Sequence, residues 1–255
     1  PRHVSMPCRC DPAGATGRQG VNRRHFIQLC ATSCAVAKVA ELSAQPRPQA
    51  GIKRYERAQL VDAGGAPIRP SKLVVDRAYI FHYPFAGTPC FLLNLGRPVR
   101  SADPLRTADD RAYQWEGGVG PTQSVVAYSA ICAHRLTYPT REISFIGYRE
   151  QATAHSKTAK VIHCCSEHSQ YDPAAGARVL AGPAPQPLAA IALEYDRTAD
   201  TVFAIGTLGG EMFDEFFAKF EFKLALEHQG QARSTVTRTC VVRELTQYCK
   251  QQVKC

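Results

Sequence analysis

The sequence has no run of apolar residues long enough to span a lipid bilayer. Its best apolar segment, Phe26 to Val39, is interrupted by Gln28 and Lys38 and falls short of the roughly 20 residues that a membrane helix needs. The sequence also lacks an internal repeat, a DNA-recognition helix pattern and a basic run with interleaved aromatic residues. We therefore expect no nucleic-acid partner. The net charge of +9 is interpreted as a solvated basic surface, which could also dock an acidic partner protein.

A closed disulfide framework is also missing. The chain has 11 cysteines, and two of them belong to short motifs that also contain histidine. The number that remains is odd, so these cysteines cannot all pair with one another. The late cysteines could pair in an oxidising compartment or bind a partner. No role is assigned to the following five: Cys8, Cys10, Cys240, Cys249 and Cys255.

Two short motifs bring cysteine and histidine together, and we call them the first clip, Cys132-Ala133-His134, and the second clip, Cys165-Ser166-Glu167-His168. Thiolate is a soft metal ligand and imidazole a borderline one. The set suits a tetrahedral zinc site. It also suits a [2Fe–2S] cluster with two cysteines on one iron and two histidines on the other.

Cys164 is a competing ligand in the second clip. Only Cys165 stands three positions before His168, so we choose Cys165 as the ligand. Cys164 ends a β-like run that begins at Val161, and we assign it to buried packing.

The residues after the second clip favour the iron–sulfur alternative. Ser169-Gln170-Tyr171-Asp172 follows directly, and a Gly182-Pro183-Ala184-Pro185 turn precedes another apolar strand. In this order the motifs resemble the cluster-binding pattern of the Rieske iron–sulfur family, over residues 120–206. The resemblance implies a Rieske-type [2Fe–2S] cluster whose ligands are Cys132, His134, Cys165 and His168.

The resemblance also implies roles for residues around the cluster. Ser169 would donate a hydrogen bond to a bridging sulfide and Tyr171 to a ligand thiolate, and both would stabilise the reduced state. An ionised Glu167 would oppose them and lower the reduction potential. The rigid turn that covers the cluster would consist mainly of Gly182, Pro183 and Pro185.

Three departures from the family pattern indicate a divergent branch. Thr137 and Glu167 stand where the quinol-oxidising branch has two further cysteines, so we expect the disulfide at the cluster to be absent. The glycine that usually follows the second histidine ligand is missing, because Ser169 follows His168. Finally, 30 residues separate His134 from Cys165, so residues 140–160 are interpreted as an insertion.

The rest of the chain predicts an all-β protein. Short apolar runs separated by Gly and Pro predict an antiparallel β-sandwich over residues 71–210, with an inserted cluster-binding subdomain at 130–187. Residues 211–255 follow as a helix and a cysteine-containing tail. The helix presents one apolar face, which we expect to pack on the protein's own sheet rather than on a partner, and which consists of Phe213, Phe216, Phe217, Phe220 and Leu224.

The N-terminal part predicts export. Residues 1–44 combine a disordered start with a twin-arginine signal at Arg23-Arg24, and residues 26–39 are either cleaved with that signal or kept as a membrane anchor. The Pro- and Gly-rich residues 45–70 are interpreted as a linker. We therefore expect the protein on the periplasmic side of a bacterial inner membrane.

The resemblance implies an electron-transfer function without catalytic residues of its own. Our first hypothesis is an exported high-potential subunit of a bc-type complex. It takes electrons and protons from quinol, and its redox partner is a cytochrome b or c. The second is the small Rieske subunit of a periplasmic oxidoreductase with a molybdenum-containing large subunit, as in arsenite oxidase. A Rieske ferredoxin and a zinc-binding structural protein are the remaining alternatives.

Overall fold

The computed structural model describes residues 51–100 and 103–255. These residues form 16 strands and two α-helices, together with short 3₁₀ turns at Pro70–Lys72 and Pro173–Ala175. The helices are α1 (Phe213–Glu227) and α2 (Leu245–Tyr248). The strands are β1 (Lys53–Val61), β2 (Ala78–His82), β3 (Pro89–Asn94), β4 (Leu105–Arg106), β5 (Ala112–Tyr113), β6 (Val125–Ser129), β7 (Ile143–Ser144), β8 (Ile146–Arg149), β9 (Val161–Cys164), β10 (Ser169–Asp172), β11 (Arg178–Ala181), β12 (Ala190–Asp196), β13 (Thr201–Leu208), β14 (Arg238–Val241), β15 (Arg243–Glu244) and β16 (Gln251–Gln252).

The twin-arginine motif, the apolar segment 26–39 and the cysteines Cys8 and Cys10 lie outside the described residues. Among the residues that are described, no helix is both long and apolar enough to cross a membrane.

The main sheet has eight strands in the order β14-β1-β13-β12-β6-β3-β2-β15, and its pairs are antiparallel except β1 with β14. All residues of β3 and β6 are buried, which explains why both read as continuous apolar runs. In β3, Phe91 and Leu93 belong to one core cluster, whereas Cys90 and Leu92 belong to another. Successive side chains of a strand point to opposite faces, so the sheet is covered on both. The prediction of a mainly β protein is confirmed.

The predicted inserted subdomain leaves and rejoins the main sheet between neighbouring strands. The chain departs after β6 and returns in β12, and these two strands pair at Tyr128 and Ala190. Between them lies a four-stranded sheet in the order β11-β10-β9-β8. The subdomain is therefore anchored at both ends by adjacent strands of one rigid sheet.

The expected linker at 45–70 is largely wrong. Its residues Lys53–Val61 form β1, which pairs with β13 and β14 inside the main sheet. The expected insertion at 140–160 is also ordered, because β8 lies in it and pairs with β9. Turn-forming Pro and Gly residues on either side of β1 concealed this strand, whose pairing partners are distant in sequence.

The C-terminal tail is part of the fold. Strand β14 adds to β1, β15 pairs with β2, and β16 pairs with β7 next to the small sheet. By contrast, the apolar residues 73–75 contain only an isolated bridge from Val75 to Asn94.

The predicted amphipathic helix is confirmed as α1, with a kink at Phe220. Its buried aromatic side chains pack on the first clip rather than on the face of the main sheet. Phe216, which is fully buried, contacts Tyr138 with ring centroids 4.8 Å apart. Ile131 and Leu136 belong to the same cluster. Helix α1 therefore supports the loop that carries the first candidate ligands.

Candidate metal centre

Strand register decides which side chains of the second clip can face the first. In the β9–β10 hairpin, Cys164 pairs with Ser169, and Ile162 pairs with Tyr171. Directly paired residues share a face of the sheet, and successive residues of a strand point to opposite faces. Cys164, Ser169 and Tyr171 therefore point to one side. His163 points to the opposite side.

The first clip is a tight loop that brings Cys132 to the Cys164 side of the hairpin. The amide of Cys132 donates to the carbonyl of Thr137, and the amide of Leu136 donates to the carbonyl of Cys132, at 2.8 and 2.9 Å. The Tyr171 hydroxyl accepts a hydrogen bond from the amide of Ala133 at 3.1 Å and lies 3.2 Å from Cys132 Sγ. Because the oxygen already accepts from an amide, its own hydrogen is free to point at the sulfur.

Cys132 and Cys164 form a buried thiol pair, each 1% exposed. A hydrogen bond from Cys164 lowers the pKa of Cys132 to about 6, and further hydrogen bonds from Tyr171 and from the amides of His134 and Arg135 act in the same direction, against burial. The same pairing, together with burial, raises the pKa of Cys164 far above its usual value. Cys132 is therefore the more acidic thiol of the pair, and a bound metal would displace the protons that remain on the two sulfurs.

Two buried polar atoms beside this pair have no partner among the described residues: Nδ1 of His134 and Oγ of Ser169. Leaving a buried polar atom unpaired costs about 1–3 kcal/mol. His134 lies two positions after Cys132, and Ser169 pairs with Cys164 in the hairpin. Two thiols, one imidazole nitrogen and one hydroxyl donor therefore fit a metal–sulfur group bound at this place.

The choice of Cys165 as a ligand is wrong in this structure. Cys165 forms a disulfide with Cys255, 90 residues further along the chain. A sulfur in a disulfide carries no thiolate, and Cys164 lies against Cys132 instead. The sequence did contain a signal, since Cys164 shares the period-two face of Ile162. The three-residue spacing to His168 points to Cys165 instead.

The structure has a disulfide in the second clip, between Cys165 and Cys255. It is a different bond from the family disulfide that we expected to be absent. It ties the second clip to the C-terminal tail rather than to the first clip. The imidazole of His163 lies 3.5 Å from Cys255 Sγ, so His163, Cys165 and Cys255 form a compact group of potential metal donors. Because the sulfurs of Cys165 and Cys255 are bonded to each other, they are not free to bind a metal, and the bond cross-links the second clip to the tail.

His168 is not brought to the thiol pair. Its exposed ring stacks on His155, with centroids 4.9 Å apart, and lies 5.8 Å from the ring of His163. His163 belongs to the face opposite Cys164. His168 also has a left-handed backbone, with φ of 58°, a conformation that favours glycine. His168 therefore adopts the backbone conformation that the missing family glycine would favour.

Glu167 lies on the side of the first clip. Its Oε1 is 3.6 Å from Nε of Arg135, and the side chain of Glu167 is 39% exposed. Arg135 directly follows His134, and its amide contributes a hydrogen bond to Cys132. The second clip therefore approaches the first through its glutamate.

The predicted covering turn lies over the second clip. A Cβ at Gly182 would come within 2.6 Å of both the His168 carbonyl oxygen and the Ser169 Cα, and Gly182 has a φ of +86°. Glycine is therefore required for this close approach. Pro183 and Pro185 are exposed, so the outer side of the turn faces solvent.

Helix α1 holds the first clip in place by polar contacts as well as by packing. The ammonium group of Lys219 donates to the carbonyl oxygen of Arg135 at 2.8 Å, and the hydroxyl of Tyr138 donates to Glu227 at 3.3 Å. The sequence indicated this helix and its packing within the protein, but we expected it on the sheet rather than on the loop around the first clip.

Fold and site together define a mainly antiparallel β protein with an inserted subdomain that carries a buried thiol pair and an imidazole as a candidate metal centre. No protein-family model matches the chain. Among solved structures, the chain aligns with the crystal structure of the soluble domain of the Rieske protein II (soxF) from Sulfolobus acidocaldarius, with 27% identity over 60% of this chain and 78% of that chain. The TM-score is 0.40.

Proposed function

We propose that this protein binds a [2Fe–2S] cluster and transfers electrons. The observation that carries the proposal is the buried thiol pair of Cys132 and Cys164, with Tyr171 bonded to it and with unpaired atoms of His134 and Ser169 beside it. When bound, the cluster would supply one-electron redox chemistry. Cys132 and Cys164 would hold one iron, and His134 would bind the other together with a donor from the turn 165–168.

The surrounding residues would tune that chemistry. The hydroxyl of Tyr171 would donate to the sulfur of Cys132 once that sulfur is a metal-bound thiolate, and it accepts a hydrogen bond from the Ala133 amide. The hydroxyl of Ser169 has no other partner among the described residues and is free to donate to a sulfide. Both hydrogen bonds withdraw charge from sulfur, which favours the reduced state and raises the reduction potential.

We further propose that the protein works as an exported electron-transfer subunit. The twin-arginine motif at Arg23-Arg24 supports export, because that route carries folded proteins with bound cofactors. Ser169 and Tyr171 support a potential high enough to accept electrons from quinol and pass them to a cytochrome c in a bc-type complex. The small subunit of an arsenite-oxidase-like enzyme and a Rieske ferredoxin are the alternatives.

The test is metal analysis and EPR spectroscopy of the full chain purified without oxygen. We expect about two iron atoms and two sulfides per chain, as a [2Fe–2S] cluster requires, and a rhombic signal after reduction. A signal already present with ascorbate would support the quinol-linked role, and a signal that requires dithionite would favour the ferredoxin alternative. Zinc without iron would overturn the proposal in favour of a structural zinc site.

A matched pair of variants tests the choice of cysteine. Cys164→Ser should abolish the cluster signal and the bound iron, because it removes a thiolate that faces Cys132. Cys165→Ser should retain both, because it removes only the disulfide. The reverse result would contradict the ligand set and would restore the choice made from motif spacing.

A further inference from the structure

We infer that Glu167, and not His168, supplies the fourth protein donor of the cluster, so that two thiolates, one imidazole and one carboxylate hold it. The inference rests on the proposed function and specifies its site. The evidence is the way in which the turn 165–168 distributes its side chains between the two faces of the hairpin.

The first step concerns His168. Its ring contacts His155 and His163, and His163 points away from Cys164 because the two are consecutive residues of a strand. The neighbours of His163 include Cys255 in the C-terminal tail. His168 thus belongs to a histidine and disulfide cluster on the far side of the hairpin.

The second step concerns the other residues of the turn. Cys165 is consumed by its disulfide with Cys255. Ser166 is exposed, and a neutral hydroxyl is a poor ligand beside a carboxylate. Glu167 is the remaining donor in the turn, and as an oxygen anion it suits an iron atom that already carries a nitrogen ligand.

The third step is the position of Glu167. Its carboxylate reaches the side chain of Arg135, the residue that follows His134. The amides of both His134 and Arg135 contribute hydrogen bonds to Cys132, so this segment wraps around the sulfur. Glu167 is therefore on the same side as the three other donors.

The ion pair between Glu167 and Arg135 does not prevent this role. The two side chains are 39% and 64% exposed, and the separation is 3.6 Å. Exposed pairs of this kind contribute about 0–1 kcal/mol, which a metal–carboxylate bond readily exceeds. In the loaded protein, Arg135 would then offset the added negative charge from outside.

A carboxylate in place of a second imidazole has a direct consequence. The cluster carries one additional negative charge, so accepting an electron is less favourable than with two histidines and the same hydrogen bonds. Only one imidazole then couples to the unpaired electron of the reduced state.

The experiment is pulsed EPR on the reduced full chain, with ¹⁴N and with ¹⁵N-labelled histidine, to count the coupled imidazoles. We expect one coupled histidine in the wild type, no change in g values or iron content in His168→Ala, and loss of the coupling in His134→Ala. Glu167→His should raise the count from one to two and raise the midpoint potential. Glu167→Ala should alter the g values.

Two outcomes overturn the inference and are distinguishable. Two coupled histidines in the wild type, one of which disappears in His168→Ala, would identify His168 as the donor and leave the proposed function intact. A wild-type protein that binds no iron under conditions in which a control iron–sulfur protein is loaded would overturn both proposals.

Discussion

The hydroxyl of Tyr171 lies 3.2 Å from the sulfur of Cys132, although 39 residues separate the two in the chain. Both residues are buried, and the same hydroxyl accepts the Ala133 amide. The contact joins the first clip to strand β10 and identifies the face of the hairpin on which a metal would be bound.

Replacing Tyr171 by phenylalanine should lower the reduction potential of the bound cluster. The variant removes a hydrogen bond to a ligand sulfur, and the more negative reduced state loses more by it. We expect a fall of about 60 mV, which is equivalent to about 1.4 kcal/mol for one electron. Protein-film voltammetry would measure it. Tyr195→Phe is the control, since its hydroxyl binds Asp200, and an equal shift in both variants would contradict the assignment.

Loss of the Cys165–Cys255 disulfide should destabilise the fold. Cross-linking residues 90 apart restricts the unfolded chain, so Cys255→Ser should lower the free energy of unfolding by about 2–4 kcal/mol. Denaturant titration with and without a thiol reductant would measure the effect. Reductant should destabilise the wild type but not Cys255→Ser. Cys249→Ala, which removes a buried free thiol, should retain the response to reductant.

Truncating Phe216 should destabilise the protein and loosen the first clip. Phe216 lies on α1, is fully buried and packs against Tyr138. Replacing such a ring by alanine lowers the free energy of unfolding by about 3–5 kcal/mol. Phe222→Ala is the matched control on the same helix. Its ring is 79% exposed, so the free energy of unfolding should change by about 0.5 kcal/mol or less. Similar losses in both variants would contradict the packing of α1 on the clip.

The stability of the fold should decrease in mild acid because of His82. Burial, and next to it the charges of His228, Arg141 and Arg243, lowers the pKa of His82 to about 3. The folded protein then holds this imidazole neutral, whereas the unfolded chain protonates it below about pH 6.5. The unfolded state binds the extra proton, so the stability contribution is present above pH 6.5 and is lost as pH falls towards 3.

We expect this histidine to contribute at most about 1.4 kcal/mol per pH unit to that loss. Denaturant titrations at a series of pH values would measure it. His82→Gln should give a shallower dependence of the free energy of unfolding on pH between 6.5 and 4. Parallel curves for the variant and the wild type would show that other groups cause the acid sensitivity.

Much of the secondary structure follows from local patterns. Strands β3, β6 and β13 coincide with continuous or alternating apolar runs, and the turn at Asp196–Asp200 joins β12 to β13. Helix α1 follows from the spacing of its phenylalanines. Strand β1 was missed, because its neighbours in the sheet, β13 and β14, lie more than 130 residues away.

The candidate site, like the secondary structure, was predicted only in part from the sequence. The sequence by itself indicated a candidate metal centre within a β protein, because donor chemistry and short spacing are local properties. Only the tertiary structure decided that Cys164 faces Cys132, that Cys165 is bonded to Cys255, and that His168 turns away. The physical reason is register. Shifting a residue by one position moves its side chain to the other face of a strand. The pairing of β9 with β8 and β10 fixes which face each of its side chains occupies. The distant tail supplies Cys255, the disulfide partner of Cys165.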